Sequence, residues 1–399
     1  MQKVPEIFRN VEAHVPKQRS VYSALDVVRF LTATLVMIYH LFFWRNGAAS
    51  RDPVGQFWRF GWVGVEIFFT LSGLVIALSA QSSTPRKFLI DRIARLAPTI
   101  WICATATLIG TLALAPATDL HPLLLDYLRT MVVLPNGHHI DIVYWTLTVE
   151  VAFYALVFLV LLMSSFRRLI SVMIVIGLVS AAFDTVLSLS PFLNGPLVDA
   201  IVAASQHHIT RLLLLRHGCF FALGVLIWSL KSELRPKYCG ALIGLFFAAA
   251  TLEVWHGARE QLQDVPTLHF SASAPVIAWA IGIVLIFFAR LMPAVQLKPG
   301  VNLPVVLRFA GLLTFPIYLL HNNVGLLFEA SLASRGFAPL ISGLIASASI
   351  LILSILITSM LEPPLARSLK AFLIRTSNAA PFQRLSELEV QKRRSVVDK

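Results

Sequence analysis

Arg29 and His40 lie eleven residues apart inside the first long apolar run, LDVVRFLTATLVMIYHLFFW. Eleven residues make about three helical turns with roughly 20° left over, so the two side chains share one helix face about 16 Å apart. Ionisable groups are expensive in hydrocarbon, and a membrane helix that keeps two on one stripe keeps them for function. A guanidinium near one bilayer surface and an imidazole deeper on the same stripe pair an anion anchor with a proton acceptor. Further ionisable residues stand in apolar surroundings: Glu66 in GWVGVEIFFTLSG, Arg92 and Arg95 in DRIARLAP, and Glu150 in YWTLTVEVAFY. Near the end of the chain, Tyr318 and His321 belong to FPIYLLHNN. Arg92 and Arg95, three residues apart, fall on one helical face.

The elements that must position these residues are membrane helices. Of 399 residues, 57% are hydrophobic and 14% charged, and the mean hydropathy is +0.76. That is far from the composition of a soluble domain. The apolar residues come in runs of about twenty, enough to cross ~30 Å of hydrocarbon as a helix. The pattern predicts an all-α, polytopic protein of about ten spans, at 25–44, 61–80, 96–115, 143–163, 169–190, 212–230, 238–255, 273–291, 305–329 and 338–361. The segment 120–134, LHPLLLDYLRTMVVL, is too short to cross and reads as an interfacial or re-entrant helix. Residues 1–23 hold no apolar core before a small-residue cleavage site, which predicts an uncleaved signal anchor in the first span. No internal repeat of the kind found in many secondary transporters is evident. The three cysteines, Cys103, Cys219 and Cys239, have no framework or metal-ligand spacing and read as small core residues.

Basic residues orient the bundle. With the N-terminus inside, 23 of the 33 Lys and Arg fall in cytoplasmic segments, and the opposite side holds arginines only. This follows the positive-inside rule and predicts both termini on the cytoplasmic side. A basic face beside anionic lipid also accounts for the net charge of +12 without nucleic acid. The QKRR run at 391–394 reads as part of a solvated or lipid-facing tail. In this orientation Arg29, Arg92 and Arg95 form a basic mouth at the cytoplasmic ends of their helices. His40, Glu66, Glu150 and His321 fall at similar depth in the outer half.

A mouth of arginines binds phosphates, because guanidinium forks match phosphate oxygens and never lose their charge. Coenzyme A has the shape to hang from such a mouth, with a phosphorylated nucleotide head and a long thin arm ending in a thioester. At that thioester, neutral His40 takes the proton from an attacking hydroxyl. Glu66 or Glu150 orients the ring and stabilises imidazolium, as carboxylates do behind other catalytic histidines.

With these motifs assembled, the chain resembles the integral-membrane acyltransferase-3 family, whose members O-acylate bacterial polysaccharides, lipid-linked sugars and some small molecules. The resemblance covers residues 24–362 and rests on five elements in order. They are the Arg-x10-His pairing at Arg29 and His40, GWVGVEIFFTLSG with Glu66, the Arg-x-x-Arg element at Arg92 and Arg95, Glu150, and FPIYLLH ending on His321. It departs from the family where Leu25-Asp26-Val27 lacks the glycine of an LDG-like start, and where Glu66 stands at a position that is frequently Asp. Neither change removes a chemical group.

The resemblance implies acetyl-CoA as the usual donor, a carbohydrate or glycolipid hydroxyl as acceptor, His40 as the essential histidine and a bacterial inner membrane. No resident metal is expected, since no set of residues in the sequence has metal-ligand spacing. Residues 1–23 and 363–399 then read as a cytoplasmic N-terminal segment and a basic cytoplasmic tail around a stand-alone membrane module.

Blander readings stand beside these. Arg92 and Arg95 alone are ordinary positive-inside charges, Glu66 serves equally as a buried partner of another helix, and Tyr318 and His321 line a cavity. The pairs His138–His139 and His207–His208 fall in outer loops with no Cys, Asp or Glu to complete a metal site. Asp26 reads as a helix N-terminal charge or a partner of Arg29. A transporter or flippase of a sugar-linked substrate is the main alternative, since it too keeps ionisable groups at depth. It differs in being indifferent to coenzyme A.

Overall fold

A computed structural model of the chain describes residues 20–45, 48–49, 53–264, 272–291 and 303–377. The N-terminal segment before residue 20, Lys298 and the QKRR run lie outside the described residues. Among the described residues the chain is helical apart from one two-residue ladder, β1 (Trp44–Arg45) against β2 (Ala48–Ala49), with Trp44 opposite Ala49.

The first helix, α1 (Ser20–Ile38), runs straight into a π-helical turn, Tyr39–Phe43, closed by the Trp44 amide on the Tyr39 carbonyl. A short α2 (Pro53–Phe57) and a 3-10 turn (Gly61–Val63) lead into α3 (Gly64–Ala80). Helix α4 (Pro85–Leu114) opens with Pro85 in its first turn and Thr84 accepting from the Lys87 amide at 3.2 Å, the usual way to satisfy donors that have no partner inside the helix. Then come α5 (Leu120–Met131), α6 (Tyr144–Met163) and α7 (Phe166–Leu189). Two short helices, α8 (Pro196–Ser205) and α9 (His208–Leu212), precede α10 (Gly218–Ser229), α11 (Cys239–Asp264) and α12 (Ser273–Leu291). The last group is α13 (Leu303–Leu320), α14 (Asn323–Ser334), α15 (Pro339–Leu356), a second π turn (Ile357–Leu361) and α16 (Glu362–Ser377).

All ten expected segments carry helix, but not ten uniform spans. Eight helices are long and apolar enough to cross a bilayer. The segment expected at 305–329 is broken: α13 and α14 meet at 67°, directly after His321. The segment expected at 212–230 shortens to the twelve residues of α10, every one of them buried. Apolarity alone does not separate a lipid-facing span from a helix enclosed by others, and α10 is enclosed by α3, α7 and α11. The 120–134 segment forms α5, with Leu120, Leu124, Leu125 and Leu128 exposed, as suits an interfacial helix.

Two cores result. One gathers Phe153, Phe220, Phe221, Trp228 and Trp279 from α6, α10 and α12. The other gathers Met37, Leu41, Ile100, Ile317 and Ile350 from α1 and its π turn, α4, α13 and α15. Phe68 on α3 packs against both, so α3 forms the seam between them. All three cysteines are free and buried, Cys103 and Cys239 within helical packing and Cys219 at the start of α10.

Candidate active site

The π turn after α1 carries His40. Such one-turn widenings are rare and frequent at functional sites, and this one seats a half-buried imidazole against a second, His321, which is fully buried. His40 Nδ1 lies 3.2 Å from His321 Nε2 and 3.0 Å from the Val36 carbonyl. His321 Nδ1 lies 2.8 Å from the Tyr318 carbonyl.

These contacts assign the tautomers of two neutral rings. A carbonyl only accepts, so His321 carries its hydrogen on Nδ1 and offers a lone pair at Nε2. His40 Nδ1–H then donates to that lone pair and to Val36. The remaining nitrogen, His40 Nε2, keeps its lone pair and accepts no hydrogen bond among the described residues. Tyr39 packs edge-on against the His40 ring, with centroids 4.9 Å apart.

The expected carboxylate behind His40 is therefore replaced by an imidazole. Neither Glu66 nor Glu150 hydrogen-bonds the His40 ring. Similar depth is what suggests in the sequence that the four groups meet, but which helices face each other is decided by packing that depth does not encode. His321 meets His40, and Tyr318 packs on His321 with ring centroids 5.5 Å apart, but of the two only Tyr318 lines the cavity along α3. The Tyr318 hydroxyl is 2.9 Å from Thr146 Oγ1, which ties α13 to α6.

Tyr318 also walls a cavity of about 60 Å³ along the seam helix α3, together with Arg29, Phe68, Ser72, Thr146 and Glu150. Glu150 faces this cavity rather than the histidines. It accepts from Ser72 Oγ at 2.9 Å and from the Tyr154 hydroxyl. Arg92 lies over the rings of Phe88 and Tyr154, 5.6 and 6.0 Å from their centroids. Glu150 is thus linked through Tyr154 to the arginines.

Arg29, Arg92 and Arg308 each stand close enough to Arg95 to repel it, so the three arginines expected together do gather, with Arg308 as an extra member. Two of these cations are already paired. Arg95 binds Glu362 at 2.9 Å, and Arg308 binds Asp26 with one nitrogen 3.1 and 3.2 Å from the two oxygens. Asp26 is thereby the partner of Arg308 rather than of Arg29. Sequence reasoning missed Glu362, whose signal was an acidic residue at the basic end of the last span.

Glu66 belongs to a separate buried cluster. It faces Glu253 and Arg216, and its Oε2 accepts no hydrogen bond among the described residues. Arg216 Nη2 holds Glu253 at 3.2 Å, and His217 Nδ1 lies 3.7 Å from the same oxygen. Asp184, which accepts from Ser180 Oγ at 3.1 Å, is buried close enough to feel the charges of Glu253 and Arg216. Phe69 separates this cluster from the cavity, lining the cavity on one side and packing on His217 at 5.1 Å on the other. Of the loop histidines, His139 bonds the Leu134 carbonyl at 3.0 Å, and burial lowers its affinity for a proton. His208 meets Thr148 at 3.1 Å.

A base whose Nε2 accepts no hydrogen bond among the described residues, a cavity whose wall includes Tyr318, the neighbour of His321, and a cluster of arginines at one end suit transfer of a group carried on a phosphorylated molecule. The chain belongs to the acyltransferase-3 family: the model of that family's acyltransferase domain matches residues 22–359. Its apolar helices and this domain together make it a membrane acyltransferase. No curated protein and no solved structure matches the chain.

Proposed function

We propose that this acyltransferase moves an acyl group, acetyl in the simplest case, from acyl-coenzyme A to a hydroxyl of a carbohydrate or glycolipid acceptor. The observation that carries this reading is His40 Nε2, which accepts no hydrogen bond among the described residues, on a ring held in one tautomer by Val36 and His321. Arg29 and Arg92, with Arg95 once it exchanges Glu362 for a ligand, supply guanidiniums for the donor's phosphates. Glu150 and Tyr154 hold that side of the cavity in shape.

In the reaction, the acceptor oxygen attacks the acyl carbon as His40 Nε2 takes its proton. The new C–O bond forms, the C–S bond breaks, and imidazolium returns the proton to the departing thiolate. His321 Nε2 accepts from His40 Nδ1–H throughout and stabilises imidazolium, the part a carboxylate plays elsewhere. The excess of Lys and Arg in alternate connecting segments supports placing the arginine mouth and both termini on the cytoplasmic side of a bacterial inner membrane, with the acceptor arriving from outside.

The test is coenzyme A release from acetyl-CoA by purified protein in nanodiscs. Wild type is expected to release it slowly without added acceptor, His40→Ala to abolish release while still binding donor, and Arg92→Ala to weaken donor binding. If wild type binds no acyl-CoA, the enzyme reading fails and a transporter of sugar-linked substrates takes its place.

A further inference from the structure

The break between α13 and α14 follows His321 immediately, and one carboxylate accepts from both asparagines that form it. Backbone at a break inside a membrane protein needs partners supplied by neighbouring elements. Here Asp141, on the segment leading into α6, supplies them. One of its oxygens accepts from Asn322 Nδ2 at 2.8 Å and from the Val143 amide at 3.1 Å. The other accepts from the Asn323 amide at 2.7 Å, capping α14. Asp141 is only 3% exposed, so its carboxylate relies on these donors rather than on solvent.

The segment that carries Asp141 is itself anchored. Asn323 Nδ2 donates to the Ile140 carbonyl at 3.0 Å, and the Ile140 amide donates to Thr130 Oγ1 on α5 at 2.9 Å. Five residues further on, Thr146 meets the Tyr318 hydroxyl, so residues 141–146 grip the chain on both sides of His321. We propose that Asp141 is a positioning residue: it fixes the break after His321, and through His321 it sets the ring of His40. The consequence for catalysis rests on the function proposed above; the geometric clamp does not.

Three donors on two oxygens explain why an acid stands here. An amide at this position offers one acceptor oxygen and turns an NH2 group toward the remaining donor. Asp141→Ala removes every acceptor, Asp141→Asn keeps one, and Asn322→Ala removes a single donor, giving a graded series.

The deciding readout does not depend on activity. In protein with nitrogen-15-labelled histidine in nanodiscs, the coupling between His40 Nδ1 and His321 Nε2 reports their hydrogen bond, with assignments from His40→Gln and His321→Gln. The coupling is expected in wild type, weakened in Asn322→Ala and Asp141→Asn, and lost in Asp141→Ala. A coupling unchanged in all three variants would overturn the clamp, and Asn322→Ala decides the matter alone if Asp141→Ala does not fold.

Turnover then tests its use. In coenzyme A release from acetyl-CoA, Asp141→Ala is expected to lower kcat by tenfold or more with KM within twofold, and Asp141→Asn to recover part of the loss. In a His321→Ala background, Asp141→Ala should cost no more than twofold further, because it acts through the missing ring. Full additivity, or a loss carried by KM, counts against the positioning role. If wild type itself releases no coenzyme A, the proposed function falls while the coupling still decides the clamp.

Discussion

Arg95 Nη1 lies 2.9 Å from Glu362 Oε1, a pair joining the middle of α4 to the first residue of α16. The second π turn delivers Glu362 to this position, as the first delivers His40 to His321. Around the pair, α16 is fastened to the start of α4 by Lys370 on Asp91 at 2.7 Å and by Arg86 on Ser377. Glu362 is therefore an internal anion seated on one of the cations to which the proposed function assigns the donor's phosphates.

Glu362→Gln removes that competitor. Coenzyme A is expected to bind about threefold to tenfold more tightly, which at 1.4 kcal/mol per decade is roughly 0.7–1.4 kcal/mol. Thermal stability should fall at the same time, because the half-buried Arg95 loses its counter-charge. Complete loss of a buried partner costs about 3–5 kcal/mol, and the exposure remaining at Arg95 places this variant below that range. Titration calorimetry with coenzyme A and thermal unfolding measure the two effects. Weaker coenzyme A binding would show that Glu362 orients Arg95 for the donor instead of competing with it.

The histidine pair separates binding from chemistry. His40→Ala removes the proposed base and should reduce kcat for coenzyme A release by about 10²–10⁴-fold, leaving the donor Kd within twofold of wild type. His321→Ala keeps the base but frees its ring, so an intermediate loss of roughly tenfold to a hundredfold is expected, again in kcat. Single-turnover rates beside equilibrium donor binding resolve these. Equal effects of the two substitutions on donor affinity would place both residues in the donor site rather than at the reacting hydroxyl.

Much of this layout is legible before any coordinates. Run lengths of about twenty give the helices, and Arg29, Arg92 and Arg95 gather as their shared end of the bundle predicts. Depth brings His40 and His321 to one level, and they touch. Rotation about each helix axis is what the sequence withholds. Glu66 and Glu150 have the right depth, yet they turn toward Arg216–Glu253 and toward Tyr154–Ser72, because α3 is oriented by packing on α10 and α6 by packing on α3, α4 and α7. The break after His321 was hidden for a related reason. FPIYLLHNNVGLLF is apolar on both sides of the two asparagines, and their meaning depends on Asp141, some 180 residues earlier.

The cluster around Arg216 leads to a prediction about stability rather than turnover. Arg216 hydrogen-bonds Glu253, and Asp184 and Glu66 are buried beside them. Arg216→Ala strands these carboxylates in a low-dielectric interior and should cost about 3–5 kcal/mol. Adding Glu253→Gln removes one stranded charge, so the double variant should be more stable than Arg216→Ala alone. Thermal unfolding of the four proteins of this cycle measures the coupling. A double variant less stable than Arg216→Ala would mean that Glu253 is held by groups other than the arginine.

Two glycines set how closely α3 and α10 approach. A methyl group added at Gly73 would overlap the Phe221 carbonyl, and one added at Gly224 would overlap the Thr70 carbonyl. The obstacles are backbone atoms, which cannot move aside as a side-chain tip can. In lipid there is little hydrophobic force to draw helices together, so association relies on close packing of this kind. Gly73→Ala or Gly224→Ala therefore has to push α3 away from the helix at the centre of the first core, and α3 also carries Ser72, Phe68 and Phe69 on the cavity wall. Each substitution should lower thermal stability by about 1–3 kcal/mol, the usual cost of overpacking, and should weaken coenzyme A binding. Gly240→Ala is the control, since a methyl group there meets nothing within 4 Å. If Gly73→Ala matches Gly240→Ala in both unfolding and coenzyme A titration, the α3–α10 contact has slack and does not set the width of the cavity.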